Sequence, residues 1–347
     1  MSSEEGRVTE SLVMKKFIQI LVGCGVSASM LYIAFRDVDG AQLKESFLQI
    51  RLWPILPFVA LFLAHFYFRS LRWRFLLPET RGESPSLRKL FDSIILGNLA
   101  SFLLPFRLGE FIRPLVLCRW TEYSFASAFI SVIMERFFDL SAVLISFFLL
   151  VQLLPDLPAW LHLAAYSLGS MAIALLVFLV GGCLAPTVIS RLVGACASIL
   201  PPAIGKFIVN FTNDLLKGAA VVKTPKRLAA VICLTAGVWA TTYLQFYALL
   251  FIFDFDHSAL LAVTLGVFVA LAVALPSAPG FVGVFQVGCV AATSLFAYPL
   301  AAAQVYSLVV HALTFILLII IGFWLLSVHN LNLFELKRAA EEGQQPS

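Results

Sequence analysis

The residues of this chain that are best suited to chemistry are charged, and they interrupt otherwise apolar sequence. Arg107, Glu110 and Arg113 are spaced three apart in a segment that also holds proline and glycine. If 106–113 is helical, the three side chains share one face, and two arginines around one carboxylate leave one cation unpaired. A planar guanidinium suits bidentate binding of phosphate, and a helix opened by Pro105 directs backbone N–H groups at an anion. The spacing favours a phosphate-headgroup site; a salt-bridged turn that only fixes topology is the alternative.

A second charged group lies inside an apolar run and consists of Glu135, Arg136 and Asp139. Arg136 and Asp139 are three residues apart and can pair, whereas Glu135 and Asp139 are four apart and share a face. One carboxylate is then in excess. It is available to Arg107 or Arg113 across the bundle, or able to take up a proton. The alternative is a structural ion network that only locks helices together.

A third polar interruption covers 275–286. Its prolines remove backbone donors, while Gly280 and Gly283 permit left-handed turns or close approach. Gln286 offers both a donor and an acceptor to the backbone groups left without partners. Tight helix packing through small residues is the alternative. His311, further along, is expected to be a satisfied histidine within the bundle rather than a metal ligand or a proton relay.

The composition of the chain places these groups in a membrane. Of its 347 residues 61% are hydrophobic and 13% are charged, and the mean hydropathy is +0.94. Soluble domains carry about 25% charged residues. A charge at the middle of a bilayer costs ~2.5–3.5 kcal/mol, and irregular backbone is tolerated there only inside protein or beside a wet cavity. The interruptions therefore predict a polar site inside a lipid-embedded bundle.

The elements that must position this site are predicted to be helices. We expect an all-α integral membrane protein, a polytopic helical bundle with about seven to nine membrane segments. The apolar runs that predict spans are 17–35, 53–68, 125–154, 158–184, 228–253, 258–275 and 301–326. Segments 88–120 and 276–297 are broken by proline and glycine, and each is either a re-entrant hairpin or a broken crossing.

The chain is predicted to be organised as one transmembrane domain, 1–330, with a polar C-terminal tail, 331–347, disordered from Glu335 onward. The connector 186–227 is amphipathic and forms either interfacial helices or a cytoplasmic hairpin. There is also a hint of an internal repeat. Gly109 precedes Glu135 by nearly the same separation as Gly283 precedes His311, and paired interruptions of this kind point to a transporter site.

Three motifs in order resemble the lysylphosphatidylglycerol synthase transmembrane family, also called flippase-like proteins. They read LPFRLGE at 104–110 with Arg113, ERFFDL at 135–140, and PSAPGFVGVFQ at 276–286, and the resemblance covers 15–328. It implies an integral bacterial or archaeal membrane protein that moves lipids between leaflets. Fused members carry a cytoplasmic domain that aminoacylates phosphatidylglycerol, for which this chain has no room, so a stand-alone module is expected. Many relatives carry Glu where this chain has Gln286, a departure that weighs against a proton-linked role there.

The function we expect is translocation of a phospholipid or a polyprenyl-phosphate-linked lipid. Residues expected to line its substrate site come from all three motifs: Arg107, Glu110, Arg113, Glu135, Arg136, Asp139, Pro279, Gly280, Gly283 and Gln286. Arg107 and Arg113 would contact phosphate, and Arg136 would hold the network together. The carboxylates would position the arginines or bind a cationic headgroup.

No catalytic residue, metal or cofactor is expected, because the chain has no hydrolase, Walker or metal-ligand motif and its six cysteines lack metal spacing. The rival interpretations are a membrane-embedded lipid-modifying enzyme and an accessory membrane subunit of a cytoplasmic synthase. Expected partners are a lipid with a phosphate headgroup and no nucleic acid, with a homo-oligomer or a synthase as further candidates. The expected location is the inner or plasma membrane of a prokaryote.

The distribution of lysine and arginine predicts topology. Dense basic residues in 69–89 and 186–227 place both connectors on the cytoplasmic side. A cysteine that replaces Lys217 should therefore resist an impermeant thiol reagent added to intact cells and react after the cells are opened. Efficient labelling from outside would reject this orientation.

Overall fold

The chain folds into helices separated by short connections. The computed structural model describes residues 21–78, 84–154, 159–199, 201–219, 224–253 and 257–342. Helices make up 83% of the structure, and the described residues contain no strand. The predicted all-α membrane bundle is therefore confirmed.

The helices in chain order are α1 (Leu21–Phe35), α2 (Gly40–Leu48), α3 (Ile55–Leu76), α4 (Leu87–Leu103), α5 (Gly109–Trp120), α6 (Phe125–Leu153), α7 (Ala159–Leu184), α8 (Pro186–Ala197), α9 (Pro202–Ala219), α10 (Pro225–Leu250), α11 (Ala259–Val273), α12 (Val284–Ser294), α13 (Leu300–Val328) and α14 (Leu333–Glu342). Two 3-10 turns, Pro105–Arg107 and Pro279–Phe281, lie in the connections after α4 and α11.

Five helices are long and apolar enough to cross a membrane, namely α3, α6, α7, α10 and α13. Helices α1 and α2 add a sixth span if they are counted together, although an 84° bend separates them. The span predicted over 258–275 is different, because α11 has only 15 residues and a crossing needs about 20. Residues 17–20 of the first predicted span lie outside the described residues.

The first interrupted segment is a helical hairpin, hairpin one, in which α4 and α5 run antiparallel over 87–120. At its open end the Lys89 ammonium donates a hydrogen bond to the Trp120 carbonyl over 2.8 Å. Midway along, a Cβ atom at Gly97 would lie only 2.6 Å from the Cβ of Arg113, so the two helices are in direct contact. Both ends of hairpin one therefore lie at the same end of the bundle.

The second interrupted segment belongs to hairpin two, which consists of α11, a tip over 274–283, and α12. A Cβ atom at Gly288 would lie 2.9 Å from the Cα atom of Val269, which places the backbones of α11 and α12 in close contact. The tip needs left-handed backbone at Gly280 and Gly283, where φ is 75° and 89°. Glycine adopts this conformation at little cost, which explains the residue type at both positions.

The two halves of the bundle repeat one arrangement in opposite directions. A span, a hairpin and a 29-residue helix follow one another as α3, hairpin one, α6 and again as α10, hairpin two, α13. Helices α3 and α10 pack antiparallel, because Arg72 contacts Thr235 and the Leu77 carbonyl accepts from Arg227 further toward the same ends. The repeat hinted at by the sequence is present, and its halves are inverted.

Two sequence-based expectations are wrong. Helix α3 continues to Leu76 instead of ending near 68, so Arg69 and Arg72 are buried helix residues rather than loop cations. The helix continues because Trp73 and Leu76 extend its buried face. The tail is also not disordered where it is described, since α14 packs on α5 and buries Leu336; residues 343–347 lie outside the described range.

The connector 186–227 contains two helices, α8 and α9. Proline at 201 and 202 separates α8 from α9, and the two helices pack together, with Ser190 donating a hydrogen bond to the Asn213 side chain over 3.1 Å. Their location at a membrane interface stays a prediction.

The close approach inside hairpin one gives a stability prediction. Gly97→Ala should destabilise the protein by about 1–3 kcal/mol, because its methyl group meets α5 backbone and the Arg113 Cβ. Gly194→Ala in α8 is the matched control: nothing lies within 4 Å of its added Cβ, and alanine is the better helix former. Thermal unfolding in detergent compares the two. Equal melting temperatures for Gly97→Ala and wild type would contradict the packing.

Candidate functional site

The tips of the two hairpins meet. An Arg107 guanidinium N–H on hairpin one donates to the Val273 carbonyl at the end of α11. The same guanidinium lies over the Phe281 ring, with 5.4 Å between its carbon and the ring centroid. Phe281 in turn packs edge-on against Phe102 of α4 at 5.2 Å. The predicted convergence of the two broken segments is therefore present.

Local sequence explains why Arg107 reaches hairpin two. Pro105 opens a 3-10 turn, and the backbone then adopts φ 52° at Arg107 before α5 begins at Gly109. This break means that 106–113 is not one continuous helix, so the expectation that Arg107 shares a face with Arg113 is wrong. Arg107 faces the tip of hairpin two, whereas Arg113 faces α6.

A cavity of about 770 Å³, here named the tip cavity, lies where the tips meet. Three parts of the chain line it: hairpin one through Ser101, Leu104, Pro105 and Arg107, hairpin two through 274–279 and Phe281, and α1 through Val22, Gly23 and Cys24. Helix α1 is tied to the tip because the Ser27 hydroxyl accepts from the Ala278 N–H over 2.8 Å. Arg107 is exposed, and among the described residues it is the one charged residue in this lining.

Hairpin two is held in place by neutral hydrogen bonds. The Gln286 side-chain oxygen accepts from the Gly283 N–H at 2.8 Å, and its amide nitrogen lies 2.9 Å from Nδ1 of His311. The His311 Nε2 lies 2.7 Å from the Gly280 carbonyl. These contacts fit a neutral imidazole that donates from Nε2 and accepts at Nδ1. His311 is thus a satisfied histidine, as predicted, and Gln286 uses both its donor and its acceptor.

Hairpin one is held in place by ion pairs. The carboxylate of Glu135 has no exposed surface, and both of its oxygens are occupied by arginine. Oε2 accepts from Arg113 over 2.7 Å, while Oε1 accepts from Arg69 and Arg136 over 2.8 Å each. Arg72 adds an ion pair to Oε1 at 3.2 Å. The predicted pairing of an excess carboxylate with Arg113 is present, and Glu135 has no free oxygen for a cationic headgroup.

Asp139 completes this buried cluster one turn along α6. Arg72 donates hydrogen bonds to its two carboxylate oxygens over 2.6 and 3.2 Å, and a guanidinium nitrogen of Arg136 lies 3.3 Å from Oδ2. Arg136 also lies 3.7 Å from Glu110. Arg72 and Arg136 both bridge Glu135 and Asp139, but the side chain of Arg72 is fully buried, whereas that of Arg136 is 44% exposed.

Aromatic packing fixes the arginine of hairpin one. The Arg113 guanidinium stacks on the ring of Trp73, with its carbon 3.8 Å from the centroid. Trp73 is itself fixed by donating to the Ser131 hydroxyl over 2.8 Å. Arg113 therefore belongs to the structural cluster and is remote from the tip cavity lining.

A smaller cavity of about 270 Å³, the central cavity, lies between α3, α4, α10, α11 and α13. Its wall is mostly apolar and includes Phe102 and Phe281, and its polar side is formed by His65, Arg69 and Asn98. Arg69 contacts Asn98 over 3.4 Å as well as Glu135, so it joins the cavity to the buried cluster.

Comparison with known proteins follows this geometry. Residues 20–322 match the sequence model of a family described as the lysylphosphatidylglycerol synthase TM region. The chain belongs to this family. The matched range contains both hairpins and the buried cluster, and it confirms the resemblance given by the three motifs. Comparisons with curated proteins and with solved structures gave no match.

Sequence reasoning missed Arg69 and Arg72. The sequence predicts both as loop charges, because the second apolar run ends before them and a basic stretch after a span is typical of a cytoplasmic loop. Their spacing of three, immediately before Trp73, is the signal that could have placed them on the buried face of a continuing helix. Within the described residues no group of His, Cys, Asp or Glu side chains could hold a metal ion.

The cluster predicts unequal effects of removing its two arginines that contact both carboxylates. Arg72→Ala should lower stability by about 3–5 kcal/mol, because it leaves buried carboxylate oxygens with fewer partners. Arg136→Ala should lower stability by clearly less, because the Arg136 side chain is partly exposed to solvent. Melting temperature and monodisperse yield in detergent measure both, with the exposed Arg88→Ala as control. A larger loss for Arg136→Ala would contradict the greater contribution assigned to the buried Arg72.

Proposed function

We propose that this membrane protein moves a phosphate-bearing lipid between leaflets, either a phospholipid or a polyprenyl-phosphate-linked lipid. The observation that carries the proposal is the meeting of two broken hairpins at a cavity to which the described part of the chain contributes one charge, the exposed Arg107 guanidinium. Non-helical backbone at membrane depth is tolerated beside such a cavity. Inverted halves with paired interruptions are typical of transporters that bind their substrate at the repeat interface.

Under this proposal both hairpins are re-entrant. The two ends of hairpin one lie side by side at Lys89 and Trp120, as a segment requires if it enters and leaves on one side. Hairpin two belongs to the inverted half and would enter from the other side. Each tip would then reach the interior from an opposite face, and the tip cavity would lie between the two leaflets.

Arg107 is the proposed phosphate ligand. A guanidinium offers two parallel N–H donors that match phosphate oxygens. The remaining predicted residues take supporting roles: Arg113, Glu135, Arg136, Asp139 and Glu110 hold hairpin one against α3 and α6, while Gly280, Gly283 and Gln286 hold the other tip. Pro279 lines the cavity directly.

The family name supports a lipid substrate, because it refers to the membrane region of a synthase of lysylphosphatidylglycerol. By this relation we propose the plasma or inner membrane of a prokaryote as the location, and a cytoplasmic synthase or a second copy of the chain as a partner.

The proposal predicts that Arg107→Ala slows lipid translocation by roughly one to two orders of magnitude, because a hydrogen bond to a charged group is worth about 1.5–3 kcal/mol. Arg107→Lys should restore the rate only in part, since an ammonium lacks the planar fork. Headgroup accessibility of labelled lipids in proteoliposomes measures the rate, with folded yield followed separately.

Arg36→Ala is the matched control, because Arg36 is exposed and pairs only with its exposed neighbour Asp37 among the contacts described. Wild-type rates for Arg107→Ala across several headgroups would refute the phosphate role. Mass spectrometry of the same lipids separates the rivals: a chemically altered lipid indicates an enzyme, and binding without translocation indicates an accessory subunit.

A further inference from the structure

Two bulky residues with left-handed backbone lie opposite each other at the hairpin tips. Among the described residues four non-glycine residues have positive φ, and two of them are Arg107 at 52° and Phe281 at 58°. The others, Ala297 and Asn330, lie in the turns after α12 and α13. Such backbone is costly for a bulky residue and persists only where its surroundings impose it, often at elements that switch.

The contacts of Arg107 are of a kind that phosphate can replace. Its hydrogen-bond partner in hairpin two is the neutral carbonyl of Val273, and its guanidinium makes a cation–π contact with the Phe281 ring. The bond to the carbonyl has one charged partner, whereas a bond to phosphate has two partners of opposite charge, and phosphate accepts two guanidinium N–H groups at once. A phosphate in the tip cavity would therefore compete directly for this guanidinium.

The contact also lies between the two cavities. Phe281 lines both of them, Arg107 lines the tip cavity, and Val273 and Phe102 line the central cavity. Parting Arg107 from hairpin two would uncover the Phe281 ring, which separates the two cavities. The central cavity, with His65 and Asn98 on its polar side, would then be continuous with the phosphate-binding side.

We propose that the contact of Arg107 with Val273 and Phe281 is a latch that a phosphate group opens. Phosphate takes the guanidinium from the Val273 carbonyl, the tips separate, and the tip cavity joins the central cavity. The inference rests on the proposed function in taking the phosphate to be that of a lipid. Free phosphate shares the chemistry and is distinguished by the experiment.

The surrounding structure assigns the movement to hairpin one. The tip of hairpin two is fixed from two sides, by His311 at the Gly280 carbonyl and by Ser27 at the Ala278 N–H. The tip of hairpin one, 104–108, lies between two helices that are clamped further down by Arg113 and Glu135. A rearrangement confined to 104–108 releases the left-handed backbone at Arg107 without breaking that clamp.

Spin labels at cysteines replacing Leu108 and Leu275, in a full-length chain whose native cysteines are replaced, measure the separation of the tips. The protein is held in a maltoside detergent, which contains no phosphate, and receives phosphatidylglycerol, diacylglycerol with the same chains, or inorganic phosphate. We expect phosphatidylglycerol to add a population at longer distance, by several ångström, and diacylglycerol to leave the distribution unchanged. A shift with inorganic phosphate as well identifies the anion alone as the trigger, whereas a shift with the lipid only assigns it to the lipid phosphate.

Two variants test the latch without a ligand. Arg107→Gln should show the longer distance in the absence of lipid and lose the response to phosphatidylglycerol. Phe281→Gly removes the ring and relieves the left-handed backbone, so it should also raise the longer-distance population. Ala297→Gly, which relieves the same backbone conformation in a turn away from the tips, is the matched control and should change nothing.

The latch is wrong if phosphatidylglycerol and diacylglycerol act alike, or if neither Arg107→Gln nor Phe281→Gly changes the distance. Translocation assays on the same variants keep the two proposals apart. If the wild-type distance does not respond to phosphatidylglycerol while Arg107→Gln slows translocation, the headgroup site stands without a latch. If the wild-type distance responds while Arg107→Gln translocates lipid at the wild-type rate, the latch stands and the proposed function is refuted.

Discussion

The burial of one carboxylate, that of Glu135, is the constraint on which the rest of the structure depends. A carboxylate with no exposed surface inside an apolar bundle must be paired through both oxygens. Four arginines meet this requirement, from α3, α5 and α6. The contact with Arg113 fixes hairpin one against α6, and those with Arg69 and Arg72 fix α3. The position of the hairpin, and with it the direction in which its tip points, follows from this pairing.

In the inverted half, the hairpin is fixed without charged side chains. Hairpin two is fixed to α13 by the chain of hydrogen bonds from Gly283 through Gln286 and His311 to Gly280, in which each side chain is neutral. Glutamine suits this place because His311 Nδ1 needs a donor, and a carboxylate would present a second acceptor to it. The two hairpins are therefore anchored separately, one by ion pairs and the other by neutral hydrogen bonds, and they contact each other at their tips. A site that has to open and close is best placed at such a contact, between two separately anchored elements.

Much of the fold and part of the site were predictable. Hydropathy predicts the long spans, because a run of about 20 apolar residues matches the thickness of the bilayer core, and a helix satisfies its own backbone hydrogen bonds there. Proline and glycine predict both tips, because proline fixes φ and lacks a backbone N–H donor, whereas glycine permits positive φ. The length of α3 and the ordered α14 were not predictable in this way. In each element a residue with charged neighbours in sequence, Arg72 in α3 and Leu336 in α14, is buried. The groups that bury it come from distant parts of the chain.

By itself, the sequence determined that this is a helical membrane protein, that two segments are broken, and which residue types lie at the breaks. These properties follow from solvation and local backbone geometry, which act over a few residues. Only the tertiary structure decided that Arg107 and Arg113, six residues apart, have different surroundings, one at the tip cavity and the other in the buried cluster. It also decided that α3 and α10 run antiparallel and thereby invert the two halves. Pairing between charges on different helices depends on distances set by packing of the whole bundle, and spacing along one helix carries no information about them.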